Sequence, residues 1–89
     1  MLKKTYHPKA FLSLKRNVIP GLIARTMIIL HLEKSVSDVK SLSQETELSY
    51  RVVLYHLHLL KSEGIILHNY NKPYFWKLTG SGQQRLVAF

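Results

Sequence analysis

The stretch that decides the fold is residues 49–66, SYRVVLYHLHLLKSEGII. It opens on Ser49, a residue type that caps helix N-termini, and Gly64 is a residue type that ends helices. Between them, apolar residues recur at the spacing of one helix face: Val53, Leu57 and Leu60. This spacing predicts a helix over 50–63 with a buried stripe and an exposed opposite side.

A shorter helix is predicted just before this one. Ser37 is a candidate N-cap, and the helix continues to about Glu45. Residues 46–49 then form a turn. Two helices joined by a turn of about three to four residues make a helix-turn-helix.

An earlier helix is predicted from Asn17, a candidate N-cap, to about Glu33, with Pro20 in its first turn. Its apolar residues cover more than one stripe, whereas a surface helix of a monomer shows one. Two explanations stay open. The helix lies centrally in a small core, or its second face meets another subunit.

The sequence after Gly64 predicts a β-hairpin. Residues 65–68 have strand character, 69–73 are rich in turn residues, and 74–78 alternate with aromatic side chains. Residues 79–82 break the second strand, and 83–89 are predicted to form a last short helix. The fold class expected is therefore α+β, mostly α: a helix-turn-helix followed by a two-stranded hairpin, which is a wing.

The chain of 89 residues predicts one main domain, over 17–89. Residues 1–16 are expected to be a basic N-terminal arm or a short helix, with 1–7 as a mobile arm and a short helix over 8–16 that has Pro8 in its first turn. They contain only basic charges, at Lys3, Lys4, Lys9, Lys15 and Arg16, within a formal net charge of +8 for the chain. A small basic domain with a basic arm is typical of nucleic-acid binders.

Several function classes are disfavoured by what the sequence lacks. With no Cys there are no disulfides and no thiolate sites, which favours an intracellular, cytoplasmic location. No apolar run is long enough to span a membrane. No phosphate loop, nucleophile motif or carboxylate pair indicates an enzyme, and the five His are too scattered to predict a metal site. We expect no cofactor.

Two blocks carry a family resemblance. In the first, His56-Leu57 is followed by Leu60 and by the exit 63–66, EGII; in the second, residues 74–82, YFWKLTGSG, give a return strand followed by Leu-Thr-x-x-Gly. In these two blocks the chain resembles ArsR/MarR-like winged helix-turn-helix regulators of the small prokaryotic, archaeal or archaeal-virus type. The resemblance covers about residues 20–86.

The resemblance implies a homodimer on double-stranded DNA, joined through the first helix and the terminal segments. A recognition helix over about 49–63 would enter the major groove, and a wing over about 66–78 would lie on the backbone. By position, the implied contacts fall on the helix and the wing tip: Ser49, Tyr50, Arg51, Leu54, Tyr55, His58, Asn69, Asn71 and Lys72. The basic arm adds Lys3 and Lys4 as candidate phosphate contacts, as basic arms do in other helix-turn-helix proteins.

Arg51 is the strongest single candidate for reading a base, because an Arg can reach guanine O6 and N7 with two hydrogen bonds. Val52 and Leu54 stand where the family usually has polar or basic residues. They therefore leave a second hypothesis open, a winged-helix module that binds another protein in a larger assembly. A third hypothesis is a protein that coats nucleic acid without sequence preference, driven by charge.

Overall fold

Three α-helices and a β-hairpin follow one another in the computed structural model, which describes residues 6–13 and 15–80. A 3₁₀ helix, Pro8–Ala10, precedes them. The elements are α1 (Ile19–Lys34), α2 (Val39–Thr46), α3 (Tyr50–Ser62), β1 (Ile66–His68) and β2 (Trp76–Leu78). The two strands are antiparallel, with Leu67 opposite Lys77. The predicted mostly helical α+β fold with a two-stranded hairpin is confirmed.

The segment before α1 differs from the predicted short helix over residues 8–16. Among the described residues of this segment only Pro8–Ala10 are helical, and Phe11 returns to an extended backbone. His7, expected in a free arm, is buried: its backbone N–H donates to Thr26 Oγ1 at 3.0 Å, and its Nε2 lies 2.7 Å from Glu33 Oε2. The segment therefore packs against α1, where His7, Lys9 and Ala10 are buried.

Helix α1 begins at Ile19, one residue later than it would if Asn17 were its N-cap. Its N-cap is Val18, which makes no side-chain cap bond, and Pro20 lies in the first turn as predicted. The Asn17 side chain instead holds the preceding loop: its Oδ1 accepts from the Leu12 N–H at 2.7 Å, and its Nδ2 donates to the Leu12 carbonyl at 2.8 Å. The capping prediction for Asn17 was therefore wrong.

Helix α2 is capped by Asp38 and not by the predicted Ser37. The Ser41 N–H donates to Asp38 Oδ1 at 2.8 Å, and the bonds from Ser41 lower the pKa of this carboxyl. Ser37 is engaged elsewhere, because its backbone forms a β-bridge with Trp76 through N···O distances of 3.1 and 2.7 Å. The turn into α3 passes through Glu47, which has a left-handed backbone with φ of 61°.

Helix α3 matches its prediction closely. Ser49 Oγ accepts the Val52 N–H at 3.2 Å, and Gly64, with φ of 74°, follows the helix end. The predicted stripe is fully buried and joins residues of α1, α2 and the hairpin in one core. The largest of its fully buried side chains are Trp76, Ile28, Ile29, Leu42, Leu57, Leu60, Ile66 and Val53. The predicted helix over 83–89 lies outside the described residues.

A buried guanidinium joins the N-terminal segment to α1 and α3. Arg25 donates from Nε to the Ala10 carbonyl at 2.6 Å, from one Nη to Asn17 Oδ1 at 3.1 Å and from the other to His56 Nδ1 at 3.3 Å. His56 is itself buried. Burial first, and the Arg25 charge second, lower the pKa of His56 to about 4.

The low pKa of His56 makes stability depend on pH. The unfolded chain takes up this proton near pH 6.5, and the folded chain only near pH 4. The contribution of neutral His56 is therefore fully present above pH 6.5 and is lost as the pH falls toward 4. Between about pH 7 and about pH 4.5, we expect the free energy of unfolding of the unmodified chain to fall by about 1–2 kcal/mol more than that of His56→Asn.

Urea denaturation of both chains at each pH measures this difference. The matched control is His58→Asn, because His58 is exposed. This control should keep the pH dependence of the unmodified chain. An acid-induced loss as large in His56→Asn as in the unmodified chain would contradict the assignment.

Candidate nucleic-acid interface

The exposed side of α3 carries the predicted contact residues. Arg51, Tyr55 and His58 follow one another at i, i+4 and i+7, and all three are exposed. Tyr50 is exposed at the start of the helix. The side opposite the core therefore offers one guanidinium, two phenols and an imidazole to solvent.

Two other predicted contacts on α3 are more constrained. Leu54 is half-buried and packs against the core, although it also lines a cleft described below. The Ser49 oxygen is occupied as the helix cap. A hydroxyl that accepts a bond can still donate one, so Ser49 keeps a donor for a phosphate oxygen.

The wing tip is shaped by the Asn69 side chain. Its Nδ2 donates to the backbone carbonyls of Asn71 at 2.7 Å and Pro73 at 3.1 Å, and its Oδ1 accepts the Phe75 N–H at 2.8 Å. Asn71 and Lys72 are exposed at the tip. Of the three predicted wing residues, Asn69 thus organises the turn that presents the other two.

Aromatic rings support the wing from beneath. The His68 ring lies 4.3 Å from the Tyr74 ring and 4.6 Å from the Trp76 ring, measured between centroids, and the His58 ring of α3 lies 5.9 Å from Trp76. His68 Nδ1 lies 2.6 Å from the Asn69 carbonyl, and its Nε2 lies 3.0 Å from Lys61 Nζ. The His68 ring therefore links the Asn69 backbone of the wing to Lys61 of α3.

Sequence reasoning missed this ring cluster. The available signal was the hairpin register, which sets His68 directly opposite Trp76. The indole is almost fully buried, and its Nε1 meets no hydrogen-bond acceptor in the described part of the chain. The cluster fixes the inner face of the wing against α3.

A cleft of about 480 Å³ lies between the start of α2, the exposed side of α3 and the wing. Tyr50, Leu54 and His58 line it from α3, and Lys72 and Tyr74 from the wing. Asp38, Val39 and Lys40 line it from the start of α2. Lys40 was not predicted as a site residue, because its approach to the wing depends on how α2 packs. Lys3 and Lys4, predicted in the arm, lie outside the described residues.

No family model matches the sequence, and no curated protein sequence does so either. A solution NMR structure has a similar fold: the homodimeric winged helix-turn-helix DNA-binding domain (fragment 1–100) of Mb0332 from Mycobacterium bovis, a possible ArsR-family transcriptional regulator. The two share 21% identity with a TM-score of 0.63 over 73% of this chain. The match covers 61% of the mycobacterial chain, less than two thirds of its length.

The fold is a winged helix-turn-helix. In it α2 and α3 are the helix-turn-helix, and the hairpin of β1 and β2 is the wing. The fold predicted from the two sequence blocks is thereby confirmed.

Residues 6–13 and 15–80 contain neither of two other kinds of feature. No helix there is long and apolar enough to cross a membrane. Within the same residues, no group of three or more potential ligands is arranged to hold a metal ion.

The role of Asn69 in the wing can be tested apart from DNA binding. Asn69→Ala removes the acceptor of the Phe75 N–H, so we expect hydrogen exchange of that amide to rise about fivefold, as loss of one hydrogen bond implies. Asn71→Ala is the matched control, since Asn71 accepts from Asn69 through its backbone carbonyl, which alanine retains. Unchanged exchange at Phe75 in Asn69→Ala would show that the wing turn does not depend on this side chain.

Proposed function

We propose that this chain is a sequence-specific transcriptional regulator that binds double-stranded DNA as a homodimer. The recognition helix, about residues 49–63, lies in the major groove, and the wing, about 66–78, lies on the backbone. The protein acts by binding and not by catalysis, in the cytoplasm where DNA is accessible.

The observation that carries the proposal is the cleft between α2, α3 and the wing. Tyr50 and His58 of α3 share this cleft with Lys40 and Lys72, which belong to two other elements. Ammonium groups on both walls suit a sugar–phosphate strand passing between them, since phosphate contacts position a protein on the duplex. The exposed stripe of α3 beside it then faces the base edges.

Arg51 supplies base readout in this proposal, and phosphate attraction comes from the net charge of +8. The half-burial of Leu54 weakens the protein-interaction hypothesis, because one of the two apolar residues of α3 that motivated it packs against the core. Val52 remains exposed on α3. An apolar side chain at that position suits a thymine methyl group.

The test of function compares two substitutions that each remove one positive charge. A preferred duplex is first selected from a random pool, and affinities for it and for a scrambled duplex are then measured by fluorescence anisotropy. We expect Arg51→Ala to lose about 1–3 kcal/mol of discrimination between the two. Arg16→Ala, an exposed arginine outside the helix-turn-helix and the wing, should weaken both duplexes slightly and equally.

Two results would contradict specific readout. Failure to select any preferred duplex, together with a steep salt dependence, would identify a general coating protein. An equal loss on both duplexes in Arg51→Ala would reduce Arg51 to a phosphate contact. Absence of DNA binding at low salt would remove the regulator proposal altogether.

The homodimer is proposed from α1. Its inner side is buried in the core, while a second apolar stripe lies on the other side at helical spacing: Ile19, Ile23, Met27 and Leu30. Leu30 is 47% exposed and Ile19 57%. The mycobacterial domain is a homodimer. A second copy packing on this stripe explains why α1 is apolar on two sides.

Sedimentation velocity tests the dimer. Leu30→Glu places a charge within the exposed stripe, so we expect the dimer dissociation constant to rise at least about tenfold. Val36→Glu is the matched control, because Val36 is similarly exposed at 53% but lies outside α1. Unchanged sedimentation of Leu30→Glu would move the dimer contact away from α1.

A further inference from the structure

The hairpin of the wing has one covered face and one open face. Side chains alternate across a strand, and on β2 Trp76 and Leu78 are buried while Lys77 between them is exposed. Helices α1 and α3 cover the buried face, since α1 packs against β2 and α3 against β1. The outward residues of both strands are left without a covering layer in the described part of the chain.

Four apolar side chains gather on that open face, and we call them the outer wing patch: Val36, Leu67, Tyr70 and Phe75. Leu67 of β1 is 38% exposed, and Phe75, the residue before β2, is 44% exposed. Val36 joins them because the next residue, Ser37, bridges to β2. Together they line an open groove of about 750 Å³. Contiguous exposed apolar surface of this kind marks interaction sites.

The charges around the outer wing patch have one sign. Lys61 and Lys77 line the same groove, and none of the described residues that line it is acidic. Lys61 is held there, because its Nζ lies 3.0 Å from His68 Nε2. The groove therefore combines an apolar floor with ammonium groups at its border.

The apolar floor and the lysine border together favour one kind of binding partner over others. A second copy docking on the same patch would bring its own Lys61 and Lys77 against these lysines, which is repulsive. A nucleic-acid strand could stack on Tyr70 and Phe75, but it gains little from the aliphatic Val36 and Leu67. An amphipathic segment with carboxylates beside its apolar stripe satisfies both the floor and the border.

We propose that the outer wing patch binds an acidic amphipathic helix of a partner protein. The open face of a sheet is completed by a helix that buries its apolar stripe against it. Here the stripe packs on Leu67 and Phe75, and carboxylates at its edges pair with Lys61 and Lys77. Since the patch faces away from the covered side that packs on α3, the partner binds without using the recognition stripe of Arg51, Tyr55 and His58.

The probe is a synthetic helix-forming peptide of about four turns, with Leu at i, i+3, i+4 and i+7 and Glu at the remaining positions. It is titrated into the full ¹⁵N-labelled chain. We expect amide shifts at Leu67, Phe75 and Lys77 and none at Arg51 or Tyr55. A matched peptide with Lys in place of each Glu should bind at least about fivefold more weakly.

Variants separate the apolar floor from the charged border. Leu67→Ser should weaken the acidic peptide about tenfold, because it removes the centre of the floor. Lys77→Gln should weaken it about twofold to threefold and reduce the preference over the basic peptide. Val52→Ser is the control, since Val52 is exposed on α3 and lies outside the patch. It should leave the affinity unchanged.

Four outcomes would overturn the proposal. The first is no amide shift at the patch up to about millimolar peptide, and the second is equal binding of the acidic and basic peptides. The third is amide shifts at the patch when the protein alone is concentrated. The fourth is amide shifts at the patch produced by a single-stranded oligonucleotide. The third would assign the patch to a second copy and the fourth to nucleic acid. Because the peptide titration contains no DNA, its result does not depend on the regulator proposal.

Discussion

The position of α3 depends on the buried guanidinium of Arg25. Its three acceptors belong to the N-terminal segment, the loop before α1 and α3, through Ala10, Asn17 and His56. Burial lowers the pKa of Arg25, and a buried charge persists only when its donors are satisfied. Gly21 makes room for it, because a Cβ there would lie 2.8 Å from the guanidinium. The helix that presents Arg51 is thereby tied to α1 and to the chain before it.

The elements predicted well from sequence are those whose signals are local. Ser49 caps α3 through the N–H three residues on, and Gly64 ends that helix with a backbone that favours glycine. Asn17 and Ser37 looked like equally good caps, yet tertiary contacts engaged both: Arg25 and Leu12 take the Asn17 side chain, and β2 takes the Ser37 backbone. A residue's capacity to cap is visible in sequence, but its choice between partners is not.

The same distinction applies to the candidate site. The exposed stripe of α3 could be predicted, because it lies opposite a buried stripe of fixed period. The wing could be located but its interior could not. Asn69 was predicted as a contact, and its side chain is also bonded to the turn around it, while Lys40 joins the cleft only because α2 packs beside α3 and the wing. Hydrogen bonds within the hairpin turn decided the first case, and packing between elements decided the second.

Asp38 lines the same cleft, although a carboxylate opposes a phosphate strand. Its charge is engaged at the helix, because Oδ1 accepts the Ser41 N–H at the positive end of α2. Those bonds keep the pKa of Asp38 low, so it stays ionised and the cap stays formed. The cap also fixes where α2 begins, and Lys40 follows in its first turn on the wall of the cleft. The acid thus helps to position Lys40 on the wall of the cleft.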